Sequence, residues 1–190
     1  MASAGLAWDL ECALPKRDDE SWDAYARHAG VTIACTIDLE SGQPTFYTPG
    51  DQDGYSLYAL ANALETASLV VSYNGEKFDN LVLGYAIGRQ APIMPKRSID
   101  LCKAIFQAKN GRQYPNGTWK LGRVAKDTIG ITKTTTSGAQ APTLWRNGQV
   151  GEIASYVWQD VNVTIKLYEH ILAQGWVVDH LGNRMGVDLG

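Results

Sequence analysis

Hydrophobic and polar positions divide the chain into a strand-rich first third followed by alternating helices and strands. Leu6–Cys12 is short and apolar around two acids, Val31–Asp38 is rich in β-branched residues, and Pro44–Thr48 follows a Ser-Gly turn. Turn residues at 41–44 and 49–54 separate these runs, which predicts an antiparallel meander. From Tyr55 to Ala67 the spacing of Leu57, Leu60 and Leu64 predicts a helix. Ser68–Ser72 reads as a buried strand, Lys77–Ile87 as an apolar helix ending near Gly88, Ser98–Asp100 as a strand, and Leu101–Lys109 as a helix. Two Asn-Gly pairs make 110–118 a loop, and Trp119–Ile129 resumes as a helix stopped by Gly130. The stretch 131–149 lacks pattern and is expected to be mobile. A long helix, Val150–Gln174, ends at Gly175, and 176–189 suits a hairpin turning at Leu181-Gly182-Asn183. The order implies an α/β fold. Its mixed five-stranded sheet has three antiparallel then two parallel strands, flanked by helices.

At 190 residues the chain fits one domain, with a core over 5–174, and it contains no internal repeat. No apolar run approaches the ~20 residues that span a bilayer, and the N-terminus lacks the pattern of a signal peptide. Cys12, Cys35 and Cys102 are scattered and odd in number, which argues against a disulfide framework or zinc site and fits a reducing, cytoplasmic setting. Net charge is −3, yet its distribution is uneven. Residues 1–95 hold 5 basic and 13 acidic residues, and 96–133 hold 9 basic and 2 acidic. A basic surface beside an acidic site would produce this asymmetry, as would a solvated basic face with no partner. In the basic block Tyr114 and Trp119 are interleaved with Lys120, Arg123 and Lys126, a composition suited to a single strand's phosphates and bases; Trp119 equally suits a core.

Three groups of acids carry the chemistry. Asp9 and Glu11 are two apart on a strand and project to one side, a costly pairing unless a cation neutralises it. Magnesium and manganese prefer such oxygen ligands; a wet edge strand is the alternative. Asp79 opens a helix just after a buried strand, at the carboxyl end where open α/β sheets bind ligands, although a first-turn acid complementing the helix dipole occupies the same place. Tyr156 and Asp160 are four apart on the long helix and share a face beside the stripe Ile153, Val157, Val161 and Ile165. A solvent-facing tyrosine–aspartate pair has the same spacing.

In this order D-x-E, N-x3-F-D and Y-x3-D resemble the three motifs of the DEDD 3′–5′ exonucleases, and the tyrosine resembles the DEDDy branch. YNGEKFDNLVL and YVWQDVNVTIKLYEHI are similar to proofreading domains of phage family A DNA polymerases. SIDLCKAI, LGRVAKDTIG and APTLWRNGQVGEIASYVWQDV are similar to stand-alone or helicase-associated exonucleases of bacteria and phages. The resemblance covers residues 5–174 and implies an RNase H-like fold. It implies that Asp9, Glu11, Asp79 and Asp160 ligate two divalent cations, Mg²⁺ or Mn²⁺, while Tyr156 orients the attacking water. Leu10, Asn74 and Phe78 would seat the terminal nucleotide. The implied activity is phosphodiester hydrolysis at the 3′ end of a single strand, DNA rather than RNA, with a replication or repair partner.

An RNase H-like endonuclease or resolvase, and a non-catalytic nucleic-acid-binding module on the same scaffold, remain as other readings. Deleting Thr134–Gln140 is expected to impair turnover or end selectivity more than stability; unchanged single-turnover kinetics in the deletion variant would count against a closing segment.

Overall fold

A computed structural model of the protein describes residues 5–50, 55–109, 119–133 and 138–190. The elements in chain order are β1 (Leu6–Cys12), α1 (Trp22–Ala26), β2 (Val31–Asp38), β3 (Pro44–Tyr47), α2 (Leu57–Thr66), β4 (Val70–Ser72), α3 (Asp79–Ala86) and β5 (Ser98–Asp100). They continue with α4 (Leu101–Ala108), α5 (Leu121–Ile129), a 3₁₀ turn (Gly138–Gln140), α6 (Ala141–Arg146), α7 (Val150–Gln174), β6 (Trp176–Val178) and β7 (Arg184–Gly186). The sheet order is β3-β2-β1-β4-β5, with β1–β2 and β2–β3 antiparallel and β1–β4 and β4–β5 parallel. This is the mixed five-stranded sheet expected from the pattern. β6 and β7 pair separately as an antiparallel hairpin.

β1 lies at the centre with apolar side chains on both faces, because helices cover both. Trp8 and Leu10 pack with α1, α2 and α3 in one core that includes Leu57, Leu60, Leu64, Val82 and Leu83. Ala7 packs with α4, α5 and α7 in the other, among Ile105, Val124, Val157 and Val161. The strict alternation of β1 therefore sends Asp9 and Glu11 toward the α7 side. At the end of β1 the register with β2 shifts between Glu11 and Cys12, and the Thr32 hydroxyl donates to the Glu11 carbonyl at 3.0 Å. Such a bulge twists a strand end and re-aims its side chain. No motif in the sequence announces it.

Several boundaries and elements differ from the expectations. α1 was not anticipated: five residues give too few turns for a periodic signal, although Ser21 caps it by accepting from the Ala24 amide at 3.1 Å. α5 begins at Leu121 rather than Trp119. The stretch 131–149 is not patternless. It contains the 3₁₀ turn and α6, whose Ala141 and Pro142 are buried, and a six-residue helix started by proline reads in sequence as a break. On α7 the buried stripe runs through Ile153, Val157, Val161, Thr164, Leu167 and Ile171, with Ile165 only half-buried. The expected 110–118 loop, the 51–54 part of the expected turn and residues 134–137 lie outside the described residues. No described helix is long and apolar enough to cross a membrane.

Packing around α3 fixes where Asp79 stands. A side chain at Gly84 would be driven into the Ala91 carbonyl, so the chain turning back after α3 can approach only at a glycine. In an unconstrained helix Gly→Ala stabilises by about 1 kcal/mol. Here Gly84→Ala is expected to destabilise by about 2 kcal/mol or more, read as a lowered midpoint in chemical denaturation.

Candidate active site

Three of the four predicted acids meet where β1 faces α7. Asp9, Glu11 and Asp160 each offer a carboxylate oxygen within 4.8 Å of the other two. Glu11 and Asp160 are each only 7% exposed. Strand alternation delivers the first two, and the buried stripe of α7 delivers the third. Burial is the main cause holding the carboxyl pKa values of Asp9 and Glu11 well above the ordinary range, and it raises that of Asp160 as well. Mutual repulsion adds to it: Asp160 raises Asp9, and Asp9 and Asp160 both raise Glu11.

Asp79 stands at the first residue of α3, equally buried but outside the tight trio. Its own carboxyl is raised by burial first and then by the charges of Asp9 and Glu11, so it belongs to the same electrostatic neighbourhood. Tyr156 lies one turn before Asp160, and its hydroxyl is raised by burial first and then by Asp160 and the other nearby acids. Phe78 faces an aromatic group, stacked on Tyr25 with centroids 5.6 Å apart and edge-on to Trp22 at 5.2 Å. Asn74 holds a left-handed backbone with φ +67°. Leu10 is buried in the core on the opposite face of β1 from the acids.

A cavity of about 350 Å³ opens beside Glu11 and is lined by Leu10, Lys16, Trp22, Tyr25, Phe78 and Gly138 among others. The basic residues of α5 are elsewhere: Arg123 is paired with Asp127 at 3.3 Å, and none of Lys120, Arg123 or Lys126 lines this cavity.

Lys133, which sequence reading passed over, is the cation of the site. Its ammonium lies 2.5 Å from Asp160 Oδ1 and 2.6 Å from Oδ2, donates to the Tyr156 hydroxyl at 3.2 Å, and sits 4.8 Å from the Tyr156 ring centroid. Its charge also pulls Asp9 and Glu11 downward against their burial. Lysine 27 residues before Asp160 carries no local motif, so only the fold could reveal it. Gly138 is similar: a Cβ there would stand 3.0 Å from Glu11 Oε2. Tyr25 and Trp22 were hidden because α1 was hidden.

Two buried carboxylates and the half-buried Asp9 share, among the described residues, the charge of Lys133. An all-oxygen, multiply anionic donor set of this kind fits a hard divalent cation, and the residues present are those that magnesium or manganese would require.

Residues 26–172 match RNase_H_2 of the RNase_H superfamily. The chain belongs to the RNase H superfamily. The match spans β2 through most of α7, so it includes Asp79 and Asp160, while β1 with Asp9 and Glu11 precedes it. Among solved structures, this RNase H-like chain is similar to the family B DNA polymerase of the hyperthermophilic archaeon Pyrobaculum calidifontis. The TM-score is 0.63 and the identity 19%, over 88% of this chain and 24% of the polymerase. At that identity the likeness shows the fold, and the chain spans about a quarter of that protein's length. No curated protein sequence matches significantly.

The raised carboxyls make a pH prediction. An unfolded carboxyl titrates near pH ~4, whereas those of the site hold their protons to higher pH in the fold. Between those values the folded state binds more protons, so metal-free stability falls as pH rises through the raised folded values and levels off above them. Metal-free protein is therefore expected to melt at higher temperature at pH 5.5 than at pH 8, and added Mn²⁺ is expected to raise the pH 8 midpoint. Calorimetry in EDTA and in Mn²⁺ checks both, and a Mn²⁺ effect that persists in Asp9→Ala/Glu11→Ala would place the cation elsewhere.

Proposed function

We propose that this chain is a metal-dependent 3′–5′ exonuclease of the DEDDy kind, removing nucleotides from the 3′ end of a single strand, DNA in preference to RNA. The observation that carries the proposal is the convergence of the half-buried Asp9 with the buried Glu11 and Asp160 beside Tyr156, with an aromatic cavity against Glu11. RNase H superfamily membership supports a nuclease, and the order of the acids along the chain supports the exonuclease branch. The 190 residues act as one catalytic unit in this reading.

Asp9, Glu11, Asp79 and Asp160 would hold two divalent cations. When bound, these supply Lewis acidity for generating the nucleophile from water and for stabilising the leaving 3′ oxygen. The Tyr156 hydroxyl orients the attacking water, and Lys133 holds both Tyr156 and Asp160 in place from one side. The terminal base enters the cavity between Leu10 and Phe78, with Trp22 and Tyr25 completing an apolar wall that accepts any base by stacking. Gly138 lacks a side chain, so its loop can lie against Glu11 and roof the nucleotide. Lys120, Arg123 and Lys126, being outside the cavity, would meet phosphates further from the reacting end.

A 5′-labelled single-stranded oligonucleotide, as DNA and RNA in parallel, is expected to shorten stepwise from its 3′ end with Mg²⁺ or Mn²⁺. Shortening should be lost in EDTA and in Asp9→Ala/Glu11→Ala. Internal cuts would favour an endonuclease or resolvase, and binding without any cleavage would favour a non-catalytic module. Lys133→Met is expected to lower kcat by about 100-fold, as for removal of one charge-stabilising donor, with a smaller change in KM; an unchanged kcat would remove Lys133 from the mechanism.

A further inference from the structure

The loop from β4 to α3 carries Asn74 and Phe78 and delivers Asp79. Its path is constrained at each step. Asn74 adopts the left-handed region at φ +67°, uncommon outside glycine. At Gly75 a Cβ would lie 2.7 Å from Ser72 Cβ and Oγ and 3.4 Å from Asp79 Oδ2, so the loop presses both on the end of β4 and on the acid it presents. Loop carbonyls then tie to the start of α3: Phe78 donates to the Asn74 carbonyl at 3.2 Å and Asn80 to the Gly75 carbonyl at 2.9 Å.

What fixes this loop to the sheet is Asp100, a buried acid only 5% exposed that the nuclease reading does not use. It ends β5 directly opposite Ser72. Its Oδ1 accepts from the Asn74 amide at 2.8 Å and from the Lys103 amide at 3.2 Å, and its Oδ2 accepts from the Glu76 amide at 3.1 Å. One carboxylate thus caps α4 and clamps two amides of the loop, with charge-assisted bonds stronger than neutral ones. Glu76 adds an outer tie, accepting from Ser98 Oγ and Lys103 Nζ, both at 2.5 Å.

We infer that Asp100 is a positioning residue for Asp79, acting through the main chain of Asn74–Glu76 and α3's first turn and touching neither cation nor substrate. The inference rests on the exonuclease reading above. It separates two duties of one side chain, capping a helix and holding a loop, and the two are separable by substitution. Asp100→Ser keeps a hydroxyl fit to cap α4 but cannot reach both loop amides. Asp100→Asn keeps one acceptor oxygen for Asn74 and Lys103 and turns an amide N–H against Glu76. Ile105→Val loosens the buried face of α4 without touching the loop and serves as a control for general destabilisation.

The experiment measures Mn²⁺ affinity by titration calorimetry, and kcat and KM on the single-stranded oligonucleotide, for full-length wild type and the three variants, with thermal midpoints alongside. Asp100→Ser is expected to weaken Mn²⁺ binding and lower kcat by about tenfold or more, the scale of lost outer support at a metal site, with KM moved less. Asp100→Asn is expected to lie between it and wild type, and Ile105→Val to lower only the thermal midpoint. Wild-type levels of Mn²⁺ affinity and kcat in Asp100→Ser, beside an active wild type, overturn the inference alone. Equal losses in Asp100→Ser and Ile105→Val overturn it as well. A wild type that neither binds Mn²⁺ nor shortens the oligonucleotide overturns the exonuclease reading and this inference with it. Should Asp100→Ser not fold, Asp100→Asn decides by the same two readouts.

Discussion

Like charges held together out of water are the constraint around which this molecule is arranged. Asp9, Glu11 and Asp160 approach within 4.8 Å in a setting that disfavours ionisation, and each was brought there by an otherwise apolar element. β1 is the central strand, covered on both faces, and α7 is the longest helix and the main cover of one face. Neither element can shift without opening a core, so repulsion among the acids cannot be relieved by moving apart. Protonation, the Lys133 ammonium or a bound cation must relieve it.

Lys133 changes how such a site is viewed. A lysine contacting both oxygens of Asp160 and the Tyr156 hydroxyl lets the fold tolerate its own acids and keeps the two catalytic candidates of α7 in a fixed relation. It approaches from the segment after α5, the same stretch that places Gly138 against Glu11. The acids therefore come from the rigid sheet-and-helix frame, while the groups that adjust them come from a connection. This division suits a centre that must be rigid at its ligands and open to a strand end.

Much of the frame was legible in the sequence because its signals are periodic. β1, β2, β5 and α7 occupy the expected positions since alternation, β-branched runs and a 25-residue amphipathic pattern leave little choice. The pairing of Asp9 with Glu11 on one side follows from the two-residue strand period, and the burial of Asp160 from its place beside Val157 and Val161. What stayed hidden has no periodic signature. α1 and α6 are too short, the Glu11 bulge is a matter of hydrogen-bond register, and Lys133, Tyr25 and Asp100 gain meaning only from Asp160, Phe78 and Asn74, which lie 27, 53 and 26 residues away in sequence. The basic stretch illustrates the converse: its composition drew attention to Arg123 and Lys126, yet Arg123 is engaged with Asp127 and the cation at the acids is Lys133.

Anomalous diffraction from crystals soaked in Mn²⁺ tests most directly whether the acid trio is a metal centre. The predicted result is anomalous density bounded by carboxylate oxygens of Asp9, Glu11 and Asp160. Density absent from that place under saturating Mn²⁺, with Lys133 still bonded to Asp160 Oδ1 and Oδ2, would contradict the account and leave the acids as a lysine-neutralised structural cluster.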